Sequence, residues 1–198
     1  MLVYLIRHGQ SEANRTHVVS GQGAWPLSEL GIEQARTVGQ YLRDLPPFDK
    51  IYVSDLLRTR QTFEHIFGDV EHTLSPLIRE VNVGELTGQV FTEMAQRYGE
   101  SYYRARSLMS YEEFGGESAD EITSRIQAFR EMLEKEEGLD RVAVVCHVGV
   151  IRTMTALAFG IPPCEFNVAI RNCSVTVLEY KEGIWRLVQF CHTPEIAQ

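Results

Sequence analysis

Leu2-Val3-Tyr4-Leu5-Ile6 is an unbroken apolar run that ends abruptly on Arg7-His8-Gly9. So short a run, with no polar alternation, suits a strand buried on both faces. The same pattern recurs twice. Ile51-Tyr52-Val53 runs into Ser54-Asp55 with Arg58 close behind, and Val142–Cys146 runs into His147. Between these runs the apolar spacing becomes helical. From Ser28 to Leu45 it places Ile32, Ala35, Val38 and Leu42 on one face, with Ser28 as N-cap and Pro46-Pro47 as the stop. A helix over Thr59–Phe67, closed by Gly68, follows the second run. Ser118-Ala-Asp-Glu121 has the form of a capping box, opening a helix that carries Ile122, Ile126, Phe129 and Leu133. A helix after the third run extends through Ala158 and stops at Gly160-Ile-Pro162. Val175–Tyr180 and Ile184–Phe190, separated by Lys181-Glu-Gly183, read as two late strands joined by a turn. Buried strands alternating with amphipathic helices predict an α/β three-layer sandwich, a mainly parallel central sheet with helices on both faces. Residues 88–116 break the rhythm and are rich in aromatics, which predicts a small helical insertion within a single domain spanning 1–198.

The 198 residues carry 44% hydrophobic and 23% charged side chains, the balance of an ordinary globular protein. Nineteen basic against 27 acidic residues give a net charge of −8, which disfavours nucleic acid or an anionic membrane as partner. No apolar run approaches the roughly 20 residues that span a bilayer. The opening Met1–Ile6 lacks a basic leader, so a cytoplasmic location is expected. Cys146, Cys164, Cys173 and Cys191 show no CxxC spacing and read as reduced, mostly buried thiols.

In open α/β sheets, ligands bind beyond the carboxyl ends of the strands. If the three runs are parallel, Arg7, His8, Arg58 and His147 converge on one edge. Arg7 and Arg58 offer planar forks that match two oxygens of a phosphate. A helix beginning just past Gly9, over Gln10–Asn14, would add its free amides and dipole. His8 can keep one ring nitrogen unprotonated and act as a nucleophile. Gly9 lets a substrate or another backbone segment come close. His17, His65, His72 and His192 show no partnering pattern and read as structural or surface groups. HxH, HExxH, GxxxxGK[ST] and GxSxG are all absent, so neither a metal nor another cofactor is expected.

These residues resemble a known pattern. Leu5-Ile-Arg-His-Gly-Gln-Ser-Glu-Ala-Asn14 looks like the RHGxSxxN signature of the histidine phosphatase (phosphoglycerate mutase-like) superfamily. Ser20-Gly21, Pro26-Leu-Ser-Glu-Leu-Gly31, Ser54-Asp-Leu-Leu-Arg58-Thr-Arg-Gln-Thr62, Leu77-Ile-Arg-Glu80, Gly84, Gly88, Gly116-Glu-Ser118 and Cys146-His147-Val-Gly-Val-Ile-Arg152 follow in order. The resemblance implies that His8 attacks phosphorus and becomes phosphohistidine, which water then hydrolyses. It implies that Arg7, Arg58 and His147 hold the phosphoryl oxygens, and that Asn14, Ser20 and Gly21 line the phosphate and leaving-group side. Glu80 would be the general acid, since an aliphatic alkoxide leaves poorly unless protonated. Val148 departs from the family's usual glycine, so its side chain must point away from the pocket. Gly116-Glu117-Ser118 resembles a segment near the rim, with Ser118 read first as a helix cap.

Three readings follow. The first is hydrolysis of a small phosphomonoester, and the motif spacing is similar to that of α-ribazole phosphatases. The second is a mutase, which by the same resemblance holds the substrate carboxylate with adjacent arginines in the insertion. Here Arg104 and Arg106 are separated by Ala105, and the stretch from Glu80 to His147 is short. The third is a non-catalytic phosphate-binding protein on the same fold. Phe91–Phe114 is expected either to close over the substrate's organic portion or to form an exposed cap. A homodimer through an exposed apolar strand near Val175–Tyr180 is a further expectation.

Overall fold

The computed structural model describes residues 1–195. Among these residues the strands β1 (Leu2–Arg7), β2 (Lys50–Val53), β3 (Thr73–Leu74), β4 (Arg141–Cys146), β5 (Val175–Lys181) and β6 (Ile184–His192) form one six-stranded sheet in the order β3-β2-β4-β1-β5-β6. The first four in that order run parallel, and β5 is antiparallel to both β1 and β6. β1 and β4 lie at the centre, which explains their composition: Val3, Leu5, Ile6 and Val142–Cys146 are fully buried.

The helices are α1 (Glu12–Arg15), α2 (Glu29–Arg43), α3 (Leu57–Phe67), α4 (Phe91–Tyr98), α5 (Glu100–Leu108), α6 (Ala119–Glu134) and α7 (Val148–Phe159). Successive strand residues face opposite sides, so each central strand serves two cores. On one side α2 and α3 bring Ala35, Val38, Leu42, Phe63 and Ile66 onto Tyr4, Ile6, Val53 and Val145. On the other, α6 and α7 bring Ile122, Ile126, Phe129, Ile151 and Met154 onto Val3, Leu5, Val144 and Leu178. The result is the expected three-layer α/β sandwich. Residues 88–116 form α4 and α5, broken apart at Gly99, whose φ of +52° ends the first helix. Met94, Tyr102 and Ala105 from these helices join the second core, so the insertion is tied to the main body.

Local signals placed the helix ends well. Ser28 Oγ accepts the amide of Gly31 at 3.1 Å, and Ser118 and Glu121 form the reciprocal capping box. Three expectations need correction. β3, with only two residues, is an extra strand too short to show periodicity. The helix expected over Gln10–Asn14 is only the four-residue α1, because Ser11 stays extended as its N-cap and bridges to Leu27. The strand around Val175–Tyr180 is internal, paired on both sides by β1 and β6, so it cannot serve as a free dimer edge. The edge strand on that side of the sheet is β6, where Val188 is 59% exposed.

Candidate active site

Arg7, His8 and His147 stand at the carboxyl ends of β1 and β4, and Arg58 follows β2 in the first turn of α3, whereas Glu80 comes from outside these strands. His8 is pinned through its backbone: its amide donates to Cys146 O at 3.0 Å, and its carbonyl accepts from the Cys173 amide and from Asn172 Nδ2. Its Nδ1 lies 2.7 Å from Gly9 O, an atom that can only accept, so the ring proton sits on Nδ1. Nε2 therefore carries the lone pair, which accepts from Arg58 Nε at 3.2 Å. Burial first, then the charges of Arg58 and Arg7, hold the imidazole well below the ordinary histidine range. His8 is thus a neutral, oriented imidazole whose Nε2 lone pair is able to attack an electrophile.

Gly9 turns out to serve backbone packing. A Cβ there would sit 2.4 Å from Gly31 O, and one on Gly31 would sit 2.1 Å from Gln10 O. The first turn of α2 thus lies directly against the loop that follows His8. The Gly9 amide donates to Thr62 Oγ1 from α3, which fixes the loop from its other side.

Arg58 is fully buried, and burial, joined by Arg7, lowers its guanidinium to about 10 against the opposing pull of Glu80. It reaches across to Gly21 O at 2.8 Å and Gly23 O at 3.2 Å, so it holds the Ser20–Gly23 turn as well as His8. Arg7 donates from Nη1 to Ile170 O, while its buried Nε has no partner among the described residues. Burial lowers this guanidinium too. Two such cations side by side are costly to bury without an anion between them. His147 contacts His8 with ring centroids 5.2 Å apart, and its Nε2 lies 2.8 Å from Ser54 Oγ. Burial and Arg58 keep it neutral. The other ring nitrogen, Nδ1, is buried and unpartnered among the described residues.

Asn14, Ser20 and Gly21 line the same cleft, whose volume is about 610 Å³. Asn14 Oδ1 is occupied by Ser11 and by Asn172 Nδ2, which leaves its own amide group to donate into the cleft. Gly21 has φ +43°, and a Cβ there would meet Val83 and Thr87 at 2.8 Å. The helix terminus at the site belongs to α7, not α1, whose amides are closed by Ser11 and Asn14. α7 starts directly after His147, so its positive end faces the phosphate side.

Glu80 is 9% exposed and lies on an irregular segment after a single 3-10 turn at Pro76–Ile78. Its Oε1 accepts the amides of Val81 and Gly149, each at 3.1 Å, which leaves Oε2 for a proton. A Cβ on Gly149 would fall 2.5 Å from Oε1, so any side chain there would push the carboxyl group aside. Val148, at the position that departs from the family pattern, packs against the second core but also lines the cleft, so it does not simply turn away from the pocket as expected.

The rest of the cleft wall comes from the insertion, one of the two placements expected for Phe91–Phe114, and from residues the sequence reading did not assign. Arg152 from α7 and Asn167–Ile170 line it together with Phe91, Tyr102, Arg106, Met109 and Tyr111 of the insertion. Arg104 instead points outward to Glu113, so the two insertion arginines do not act as a pair. Asn172, which buttresses His8 and Asn14, was also missed; the loop carrying it has no periodicity to betray it. Among the described residues, no group of three or more His, Cys, Asp or Glu side chains is placed to hold a metal ion. Nor is any helix among them long and apolar enough to cross a membrane.

A family model describing the histidine phosphatase superfamily, branch 1, matches residues 3–193. The chain belongs to that superfamily. Among its relatives is a protein named probable phosphoglycerate mutase GpmB from Enterobacter sp. (strain 638), 33% identical over 192 residues, covering 92% of this chain and 86% of the relative. The fold matches the α-ribazole phosphatase from Shigella flexneri, with TM-score 0.89 and 22% identity over 100% of both chains. It also matches a phosphoserine phosphatase from Entamoeba histolytica, solved with phosphoserine, with TM-score 0.83 and 25% identity over 99% of each chain. Superfamily members of this kind carry phosphatase or mutase activity.

Proposed function

We propose that this histidine phosphatase hydrolyses a small phosphomonoester through a phosphohistidine on His8. The observation that carries the reading is the unprotonated Nε2 of His8, held by the buried guanidinium of Arg58 with the partly buried Arg7 nearby, in the cleft that Glu80 also lines. Nε2 forms a bond to phosphorus while the bond to the alcohol oxygen breaks, and Glu80 delivers a proton to that oxygen. Arg7, Arg58 and His147 donate to the phosphoryl oxygens, on which a loose transition state spreads its charge. Water then attacks the phosphohistidine and gives its proton to Glu80. Inorganic phosphate leaves, and both residues return to their starting states. The organic portion rests among Phe91, Tyr102 and Tyr111, surfaces suited to a ring-bearing alcohol such as a ribazole-like nucleoside.

A mutase is the second reading, favoured by the Enterobacter relative and by Arg106 and Arg152 in the outer cleft. A mutase must hold a second anionic group and exclude water. The outward turn of Arg104 speaks for hydrolysis. A screen of phosphate release across metabolite phosphomonoesters, run beside a phosphoglycerate mutase assay, separates the two. Release of phosphate from at least one monoester faster than phosphoglycerate isomerisation is expected; the reverse order would establish the mutase.

A further inference from the structure

The segment bearing Glu80 has no helix or strand to hold it, so its backbone polar groups must be satisfied from outside. They are satisfied largely by one ion pair. Arg125, in the second turn of α6, donates from Nη1 to Leu77 O at 2.8 Å and to Arg79 O at 3.0 Å. Its Nε and Nη2 grip Glu117 at 2.8 and 3.0 Å. Glu117 Oε2 in turn accepts the Asn82 amide at 2.7 Å, and the Glu117 amide donates to Asn82 O at 2.8 Å. The pair thus clasps the chain just before and just after Glu80, with side-chain exposures of only 16% and 17%. Behind it stands α6, anchored in the core by Ile122, Ile126 and Phe129.

We propose that Glu117 and Arg125 are positioning residues for the proton transfer at Glu80, setting its carboxyl over the leaving-group oxygen. The proposal rests on the reading of Glu80 as the acid. Neither residue lines the cleft, so they act through Glu80 and not on the substrate. Without the clasp, the carbonyls of Leu77 and Arg79 lose their donor, and Glu80 is held only by Gln22 on its carbonyl and by the two amides on Oε1. A carboxyl displaced by even about 1 Å transfers protons far less well.

The test compares Arg125→Met and Glu117→Gln with wild type on p-nitrophenyl phosphate, whose leaving group needs no acid, and on an alkyl phosphate, whose leaving group does. Expected is a fall in kcat/KM, which reports phosphohistidine formation and not the later water step, of roughly 10–100-fold for the alkyl ester and about threefold or less for the aryl ester. In a Glu80→Gln background, adding Arg125→Met should cost little more on the alkyl ester, because the group it positions is already gone. Equal losses on both esters, or full additivity with Glu80→Gln, would overturn the proposal while leaving Glu80 as the acid. If Glu80→Gln alone lowers kcat/KM equally for both esters, the reading of Glu80 as the acid itself falls, and the proposal with it. Glu117→Gln keeps the side chain's shape and guards against a failure of Arg125→Met to fold.

Discussion

His8 and His147 are folded into the interior as neutral rings, and both are held well below the ordinary histidine range, chiefly by burial. In the unfolded chain each takes up a proton as the pH falls through about 6.5, which the folded protein refuses. The unfolded state then binds more protons, so stability must fall on acidification, by up to about 1.4 kcal/mol per pH unit for each ring. Urea unfolding between about pH 7.5 and 5.5 measures this slope. His147→Gln should flatten it by about one proton's worth; an unchanged slope would show that His147 is charged in the folded state. At this scale the sequence was most readable where a residue ends a buried strand: Arg7, His8 and His147 were placed by that logic alone. Glu80 was legible only through the family resemblance. It stands on a segment without periodicity, one of 27 acidic residues, and only the Gly149 amide and the clasp on its flanks distinguish it.

Between elements, the decisive contact is that of the His8–Gly9 loop with the first turn of α2. Gly9→Ala puts a methyl group 2.4 Å from Gly31 O, on backbone that cannot rotate aside. We expect a loss of about 1–3 kcal/mol in unfolding free energy, as overpacking gives elsewhere. A fall in kcat larger than that of an equally destabilising core change such as Ile126→Val should accompany it. Urea denaturation and turnover of an aryl phosphate check both; unaltered stability would mean that the loop yields freely. Helices with a cap and a stripe were foreseen nearly to the residue, because capping and burial act locally. β3 was not foreseen, since its two residues pair through the neighbouring strand and carry no pattern of their own. The switch of the site's helix terminus from α1 to α7 was hidden for a similar reason: Ser11 prefers a bridge to Leu27, a partner remote in sequence.

For the whole molecule, a net charge of −8 surrounds a cleft that gathers Arg7 and Arg58 beside two neutral histidines. Burial lowers both guanidiniums, so the fold carries an electrostatic cost that an anion relieves. Inorganic phosphate should therefore raise the thermal midpoint, by the equivalent of about 2.7 kcal/mol at a hundred times its dissociation constant. Sodium chloride at matched ionic strength should give little of this. Equal shifts with both salts would point to a general ionic effect with no phosphate site behind it. The strand order has another consequence, in the making of the protein. β4 lies between β2 and β1 and supplies the frame that brings Arg58 to His8, yet it is formed from residues 141–146. A chain still emerging from the ribosome holds the Arg7-His8 pair and Arg58 apart, beyond the ends of two apolar strands that have not met. It becomes a catalyst only once synthesis has passed His147, and until then those unpaired strand edges are what a chaperone would have to shield.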